Sequence, residues 1–158
     1  MSSWRSTTTG LLIGGVVIVI LATAVSFGLS YFTKTTDVRF RSTVFSVKVA
    51  KDKASQEKGL AGVTELKQNG GILMVFDSDD TWGIWMKDMK VSLDIVWLNS
   101  NKEVIYIVKN VSPDLSTSKT FKPTKPARYV LEVAAGDTSK YGVKIGDKAD
   151  FDLGNGTN

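Results

Sequence analysis

The chain has 158 residues, 42% of them hydrophobic and 23% charged, so it is long enough for one globular domain with a short appendage. It contains no cysteine and no histidine. Disulfides, thiolate nucleophiles, serine–histidine catalysis and the common zinc sites are therefore excluded. Any site has to be built from carboxylates, Lys, Arg, hydroxyl groups and aromatic rings, and this set favours binding over catalysis.

A long uncharged segment lies near the amino terminus. Residues 6–33 carry no charge, and residues 11–32 are almost wholly apolar or small. A bilayer core of about 30 Å is crossed by roughly 20 helical residues. Residues 1–33 are therefore predicted to form a transmembrane signal anchor that contacts lipid through residues 11–32. A cleaved signal peptide is the alternative, because Ala22-Thr23-Ala24 has the small-x-small pattern of a cleavage site.

The charges that flank this segment bear on its orientation. The terminal amine and Arg5 precede the segment, and more cations follow it, so a literal count places the domain in the cytoplasm. Some of the following cations belong to the first predicted strands, and the short head is typical of a signal anchor. We expect a single-pass membrane protein with its domain outside the cytoplasm.

Short strands separated by turn signals dominate the remainder. The first predicted elements are a strand at 45–49 entered from 38–40, a helix at 53–58 between Asp52 and Gly59, and a strand at 72–76. An acidic turn at 77–80, a strand at 82–86 and a hairpin of 91–98 with 104–111 follow. The last predicted elements are a loop at 112–126, a strand at 129–133, a helical turn at 137–141 and a strand at 148–153. This pattern predicts a mainly β fold, a single compact β-sandwich or jelly-roll-like domain with one or two short helices, preceded by one transmembrane helix. The predicted organisation is an anchor at 1–33, a linker and strand entry at 34–43, a β domain at 44–153 and a disordered tail at 154–158.

Several fragments occur in a recognisable order and spacing. They are Gly59-Leu60, Gly71-Ile72-Leu73-Met74-Val75-Phe76, Trp85-Met86-Lys87, Leu93-Asp94-Ile95, Pro126-Ala127-Arg128-Tyr129-Val130-Leu131-Glu132, Ala135-Gly136 and Gly142-Val143-Lys144-Ile145-Gly146-Asp147. Over roughly residues 44–150 the chain resembles the DUF192 family. The resemblance implies one β-rich, jelly-roll-like domain, in bacteria and archaea often behind a signal peptide or membrane segment, and no settled activity. Many relatives carry cysteines in the loop corresponding to residues 112–125, where this chain has Ser and Thr.

Asp94 is the most informative single position. Strand alternation places its carboxylate on the same face as two large apolar side chains, so it needs a partner. Lys87 and Arg128 are candidate donors. The functional hypothesis is a polar pocket for an anionic or hydroxyl-rich ligand, formed by Lys87, Asp94, Arg128 and Glu132. The alternative is a structural ion-pair network that joins two strands.

Aromatic and acidic residues give further candidates. Trp82, beside the acidic turn, is expected to be partly exposed and able to stack on a sugar, whereas Trp85 and Trp97 are expected in the core. Asp94 and Glu132 could flank a glycosidic bond as the two carboxylates of a hydrolase. Lysines are dispersed among acids, so no nucleic-acid partner is expected. No metal or cofactor is expected either.

The leading functional hypothesis is a membrane-anchored, extracytoplasmic binding or accessory module of the cell envelope, with an envelope protein or polysaccharide as its partner. One alternative is an envelope glycan hydrolase that uses Asp94 and Glu132. Another is a structural subunit of a membrane-associated assembly. The spacing of Gly10 and Gly14 is that of a close-packing helix face, which is consistent with a homo-oligomer.

Overall fold

The computed structural model describes residues 35–115 and 119–154. Within these two ranges no helix is long and apolar enough to cross a membrane. The predicted anchor at 1–33, residues 116–118 of the predicted loop and residues 155–158 of the predicted tail lie outside the described residues. The described elements are β1 (Thr35–Phe40), β2 (Thr43–Ala50), α1 (Lys53–Lys58), β3 (Gly70–Asp80), β4 (Ile84–Trp85), β5 (Leu93–Leu98), β6 (Val104–Val111), a 3-10 helix (Pro113–Leu115), β7 (Thr120–Phe121), β8 (Ala127–Ala134) and α2 (Asp137–Lys140).

Six strands form the main sheet, in the order β1-β2-β3-β8-β5-β6, and β4 and β7 form a second, two-stranded sheet. In the main sheet β2 and β3 are parallel, and the other neighbouring pairs are antiparallel. A parallel pair requires a crossover connection, and here the connection contains α1. The fold is thus mainly β with two short helices and a mixed sheet. It differs from the predicted β-sandwich because its sheets are unequal and the larger one is not purely antiparallel.

The main sheet is covered on both faces. One face, which we call the Trp97 face, carries Ile72, Met74, Ile95, Trp97 and Val130 and packs against the β4–β7 sheet and the segments beside it. The other, the Phe45 face, carries Phe45, Leu73, Val96, Leu131 and Val133 and packs against the carboxyl-terminal segment. All six residues of β5 are buried, as expected for a strand with a hydrophobic cluster on each side.

The elements with local sequence signals are confirmed. The Asp52 side chain accepts a hydrogen bond from the Ser55 amide at 2.9 Å, which caps α1 as predicted. Gly59 ends α1 with a φ of 48°. The β5–β6 hairpin and the helical turn α2 also lie where the turn residues predicted them.

The observed elements differ from the predicted ones in several places. Residues 35–40, assigned to the linker and strand entry, form a strand of their own, β1, which pairs with β2. The acidic residues 77–80 do not turn the chain but extend β3, whose pairing with β8 is irregular between Val75 and Asp80. Residues 148–153 contribute isolated bridges from Lys148 and Asp150 instead of a strand. In each case long-range pairing, which local residue preferences do not encode, decides the outcome.

Candidate functional site

A cleft of about 270 Å³ opens beside α1 on the Trp97 face. Its volume lies just below the roughly 300–1,000 Å³ that is usual for ligand pockets, so it suits one group of a ligand. Its walls come from α1 and the residue that ends it, from β3, from the segment around β4, and from β8. Its lining residues include Lys53, Glu57, Lys58, Gly59, Met74, Phe76, Trp82, Trp85, Lys87 and Glu132.

Glu132 forms the buried part of the cleft. It lies in β8, where it pairs with Ile72 of β3 and Ile95 of β5, and it is only 3% exposed. Its Oε2 atom is buried and has no hydrogen-bond partner among the described residues. Burial penalises the charged carboxylate and raises the pKa of Glu132 to about 8. The side chain is therefore mainly neutral at pH 7, and its carboxyl group can donate as well as accept a hydrogen bond.

Gly59 keeps the space in front of this carboxyl group open. A Cβ atom at position 59 would lie 3.1 Å from Met74 Cε and 3.7 Å from Glu132 Oε2. The backbone of Gly59, with φ 48° and ψ −126°, is also one that residues with a side chain rarely adopt. Both the turn after α1 and the depth of the cleft therefore depend on glycine at this position.

Gly59→Ala is expected to lower the free energy of unfolding by about 1–3 kcal/mol, since it adds backbone strain and a tight contact with Met74. Denaturant unfolding of the two proteins measures this. The control is Gly62→Ala, because Gly62 also has a positive φ, 77°, but a Cβ atom there would have no described atom within 4 Å. An equal loss in both variants would show that the contact inside the cleft contributes nothing.

Aromatic rings form one side of the cleft. Phe76 and Trp82 are stacked, with ring centroids 4.2 Å apart and an interplanar angle of 8°. The Trp82 indole also donates a hydrogen bond to the Ser78 carbonyl at 3.1 Å. Trp82 is half-buried, and one of its ring faces is covered by Phe76, so it is less available than the sequence suggested.

Trp85 is the exposed ring of the site. It is 51% exposed, although the sequence pattern had assigned it to the core. The reason is strand alternation, because Ile84 and Met86 on either side of it point inward and are buried. Lys87 Nζ lies 6.0 Å from the centroid of the Trp85 ring, close enough for a weak cation–π contact. Trp97, in contrast, is fully buried as expected.

Charged side chains surround the opening. Lys53, Lys58 and Lys87 line the cleft with exposed side chains, and Glu57 is the acidic residue beside them. Lys53 Nζ lies 3.8 Å from Glu57 Oε1 in an exposed ion pair, which contributes little to stability. With Glu132 neutral, three cations and one anion among the described residues surround the opening, so the local charge is positive.

Asp94 lies away from this cleft. In the β5–β8 register Asp94 pairs with Val133 while Ile95 pairs with Glu132, so the two acidic side chains point to opposite faces of the sheet. The Asp94 carboxylate accepts hydrogen bonds from the backbone amides of Asn110, Gly136 and Thr138 and from the Thr138 hydroxyl. Its role here is structural, because it joins β6 and the start of α2 to β5.

Arg128 is also outside the cleft. Its guanidinium donates a hydrogen bond to the Asp79 carboxylate in a partly exposed ion pair at the far end of β3. Of the five residues proposed from the sequence, the structure thus brings together Trp82, Lys87 and Glu132. The expected convergence of Lys87, Asp94, Arg128 and Glu132 on one pocket is not observed. Asp94 and Glu132 cannot flank one glycosidic bond, since the sheet separates them.

Gly59, Trp85 and α1 contribute to the site without having been predicted to do so. The positions of Ile84 and Met86 were a usable signal for Trp85, because alternation places a residue between two buried neighbours on the outer side. The sequence indicates only that Gly59 ends a helix. Its second role depends on the parallel pairing of β2 and β3, which brings the end of α1 over β8.

Comparison with known proteins identifies the relatives of this fold. The sequence profile of DUF192, described as an uncharacterized ACR, matches residues 34–151. The chain belongs to the DUF192 family. The match confirms the resemblance found in the sequence and begins earlier, immediately before β1. The UPF0127 protein PF1050 of Pyrococcus furiosus is 32% identical to this DUF192 chain over 66 residues. The aligned region covers 40% of this chain and 50% of that protein.

Two solved structures resemble the DUF192 chain. A protein described as a transcription regulator, from Sinorhizobium meliloti 1021, is 25% identical and superposes with a TM-score of 0.69, over 76% of this chain and 95% of the other. A protein of unknown function from Novosphingobium aromaticivorans DSM 12444 is 29% identical with a TM-score of 0.67, over 73% and 83% of the two chains. The chain therefore resembles these two solved structures in its fold.

Proposed function

We propose that this DUF192 protein is a binding module of the cell envelope and that its ligand is a glycan chain, one residue of which enters the Glu132 cleft. The observation that carries the proposal is the buried Oε2 atom of Glu132, which lines an open cleft without a hydrogen-bond partner in the described part of the chain. A buried polar atom without a partner costs free energy, about 1–3 kcal/mol. A ligand hydroxyl that supplies the missing hydrogen bond recovers that cost.

The residues around Glu132 favour a sugar. Aromatic side chains pack against the apolar faces of sugar rings, and Trp85 presents such a surface beside the cleft. Lysine side chains at the opening supply hydrogen-bond donors for hydroxyl groups. The small volume of the cleft fits one sugar residue, and the exposed Trp85 ring is then available to the next residue of the chain.

Binding is favoured over hydrolysis by the position of the acidic groups. Glycoside hydrolysis needs two carboxyl groups about 5–10 Å apart on opposite sides of the scissile bond. Glu132 lies in the cleft, but Asp94 lies on the Phe45 face and its carboxylate is occupied by backbone amides. Glu132 is thus available for recognition, and the Asp94–Glu132 pair that the hydrolase hypothesis required is not found in the cleft.

The envelope location rests on the amino-terminal segment. Residues 11–32 are long and apolar enough to remain in a bilayer as an anchor, with the domain that begins at residue 34 outside the cytoplasm. The spacing of Gly10 and Gly14 in the sequence is one that favours close packing of membrane helices, so the proposal includes a homo-oligomer. In this arrangement the domain is exposed to the polymers of the envelope. Cell fractionation followed by protease treatment of intact cells tests the location.

Trp85→Ala is expected to weaken binding of an envelope oligosaccharide about tenfold or more, because the ring supplies exposed apolar contact area. Isothermal titration calorimetry on the full-length protein in detergent measures the affinity across a panel of neutral and acidic oligosaccharides. The control is Ile145→Ala, since Ile145 is also an exposed apolar residue, 62% accessible, but does not line the cleft. Absence of binding across the panel, or an equal effect of both substitutions, would contradict the proposal.

A further inference from the structure

We propose that the sugar that enters the cleft is a uronic acid, whose carboxylate accepts a hydrogen bond from Glu132 and lies among Lys53, Lys58 and Lys87. This inference rests on the proposed function and names the class of glycan that the cleft selects. Three observations support it. The Glu132 Oε2 atom has no hydrogen-bond partner among the described residues, and a cleft lies in front of that atom. Cationic side chains outnumber anionic ones around the opening of the cleft.

The hydrogen bond at the base of the cleft has a defined direction. A neutral carboxyl group donates one strong hydrogen bond, and the strongest acceptor for it is an anionic oxygen. Burial favours this neutral form of Glu132, whose pKa is raised to about 8. A second carboxylate can therefore approach Glu132 without repulsion between two anions. The proton on Glu132 is then shared in an acid–carboxylate pair.

The charges that face the cleft determine the preference for an anion. On α1 they are Lys53, Glu57 and Lys58, and beside β4 there is Lys87. The β3 residues that line the cleft, Met74 and Phe76, carry no charge, and neither does Ile95, which pairs with Glu132 in β5. Arg128, on the same strand face as Glu132, is paired with Asp79. The resulting positive charge attracts an anion and disfavours a cation.

A uronic acid fits this arrangement better than a free anion does. Its ring carries the carboxylate at one edge and presents an apolar face beside it. The carboxylate can contact Glu132 while the sugar chain continues toward Trp85, which is half exposed at the opening. The same cleft thus combines charge recognition with aromatic contact, and a neutral sugar can use only the second of these.

The test compares trigalacturonic acid with its fully methyl-esterified form, by calorimetry on the full-length protein in detergent at constant ionic strength. The two probes have the same sugar rings and differ in charge. We expect the acid to bind at least tenfold more tightly at pH 6, and we expect its affinity to fall about tenfold between pH 6 and pH 9, as Glu132 loses the proton that it donates. The uronic acid itself remains ionised throughout this range.

Glu132→Gln separates the proton effect from the rest of the site. Its amide donates a hydrogen bond at every pH, so the variant should still bind trigalacturonic acid and lose the pH dependence to within about twofold. Lys87→Met should weaken binding of the acid by a larger factor than binding of the ester, because only the acid carries an anion for this cation to attract. Equal affinities for the acid and the ester, or a pH profile that Glu132→Gln does not alter, would overturn the inference while leaving glycan binding intact. Absence of binding by both probes, together with no binding across the oligosaccharide panel, would overturn both proposals.

Discussion

Glu132→Gln is expected to stabilise the protein strongly at alkaline pH relative to the wild type and to change its stability little at pH 5. The folded-state pKa of Glu132 is about 8, against an ordinary value of 4.5. Between these values the folded protein binds more protons than the unfolded chain, so stability falls as pH rises. Each pH unit costs about 1.4 kcal/mol. The stabilisation contributed by the neutral carboxyl group is therefore complete below pH 4.5 and lost above about pH 8.

Urea unfolding of the full-length proteins in detergent from about pH 4.5 to 9 measures this effect. The wild-type free energy of unfolding should fall by several kcal/mol more than that of Glu132→Gln, whose amide does not titrate. Glu57→Gln is the matched control, because Glu57 lines the same cleft with an exposed side chain. It should follow the wild-type profile. Parallel profiles for the wild type and Glu132→Gln would show that Glu132 is not neutral in the folded protein.

Asp94→Asn is expected to destabilise the protein by about 3 kcal/mol or more, since hydrogen bonds to a charged group are worth roughly 1.5–3 kcal/mol each. The Oδ1 atom accepts from Asn110, and Oδ2 accepts from Gly136 and from the amide and hydroxyl of Thr138. In asparagine an NH2 group replaces one of the two carboxylate oxygens. At this position the NH2 group would face N–H donors that then have no acceptor. The loss includes both the missing bonds and the buried donors left without an acceptor.

Thermal and urea unfolding test this expectation. Asp77→Asn is the matched control, because Asp77 in β3 does not contribute to either buried cluster, and the same change of charge there should alter stability by less than about 0.5 kcal/mol. Asp94→Ala should lose at least as much as Asp94→Asn. If Asp94→Asn were as stable as the wild type but no longer bound glycan, Asp94 would belong to the binding site. That result would contradict its structural role.

The fold could be predicted from the sequence where a short segment carries its own signal. The Asp52 cap, the end of α1 at Gly59 and the β5–β6 hairpin all depend on residues close together in the chain. The alternation in β5 also placed Asp94 correctly among apolar neighbours. Most of its partners were not predictable, because they are backbone amides, two of them 42 and 44 residues further along the chain. The residue types in the sequence pointed to side-chain cations instead.

The site was predicted only in part for a related reason. The sequence indicates the charge of Glu132, but its burial follows from the position of β8 between β3 and β5, which no local pattern encodes. In the pairing of β5 with β8, Glu132 lies opposite Ile95, the residue next to Asp94. A one-residue difference reverses the face, so the hydrolase hypothesis and the binding hypothesis could not be distinguished without the pairing of β5 with β8.

The central place of β8 also determines when the sheet can be completed during synthesis. Residues 127–134 leave the ribosome after β3 and β5, yet they pair with β3 on one side and with β5 on the other. Until then the edges of β3 and β5 that β8 will occupy remain open to other extended chains. The nascent protein therefore passes through a stage with two unpaired strand edges. At this stage a chaperone that covers exposed strand edges would reduce aggregation most.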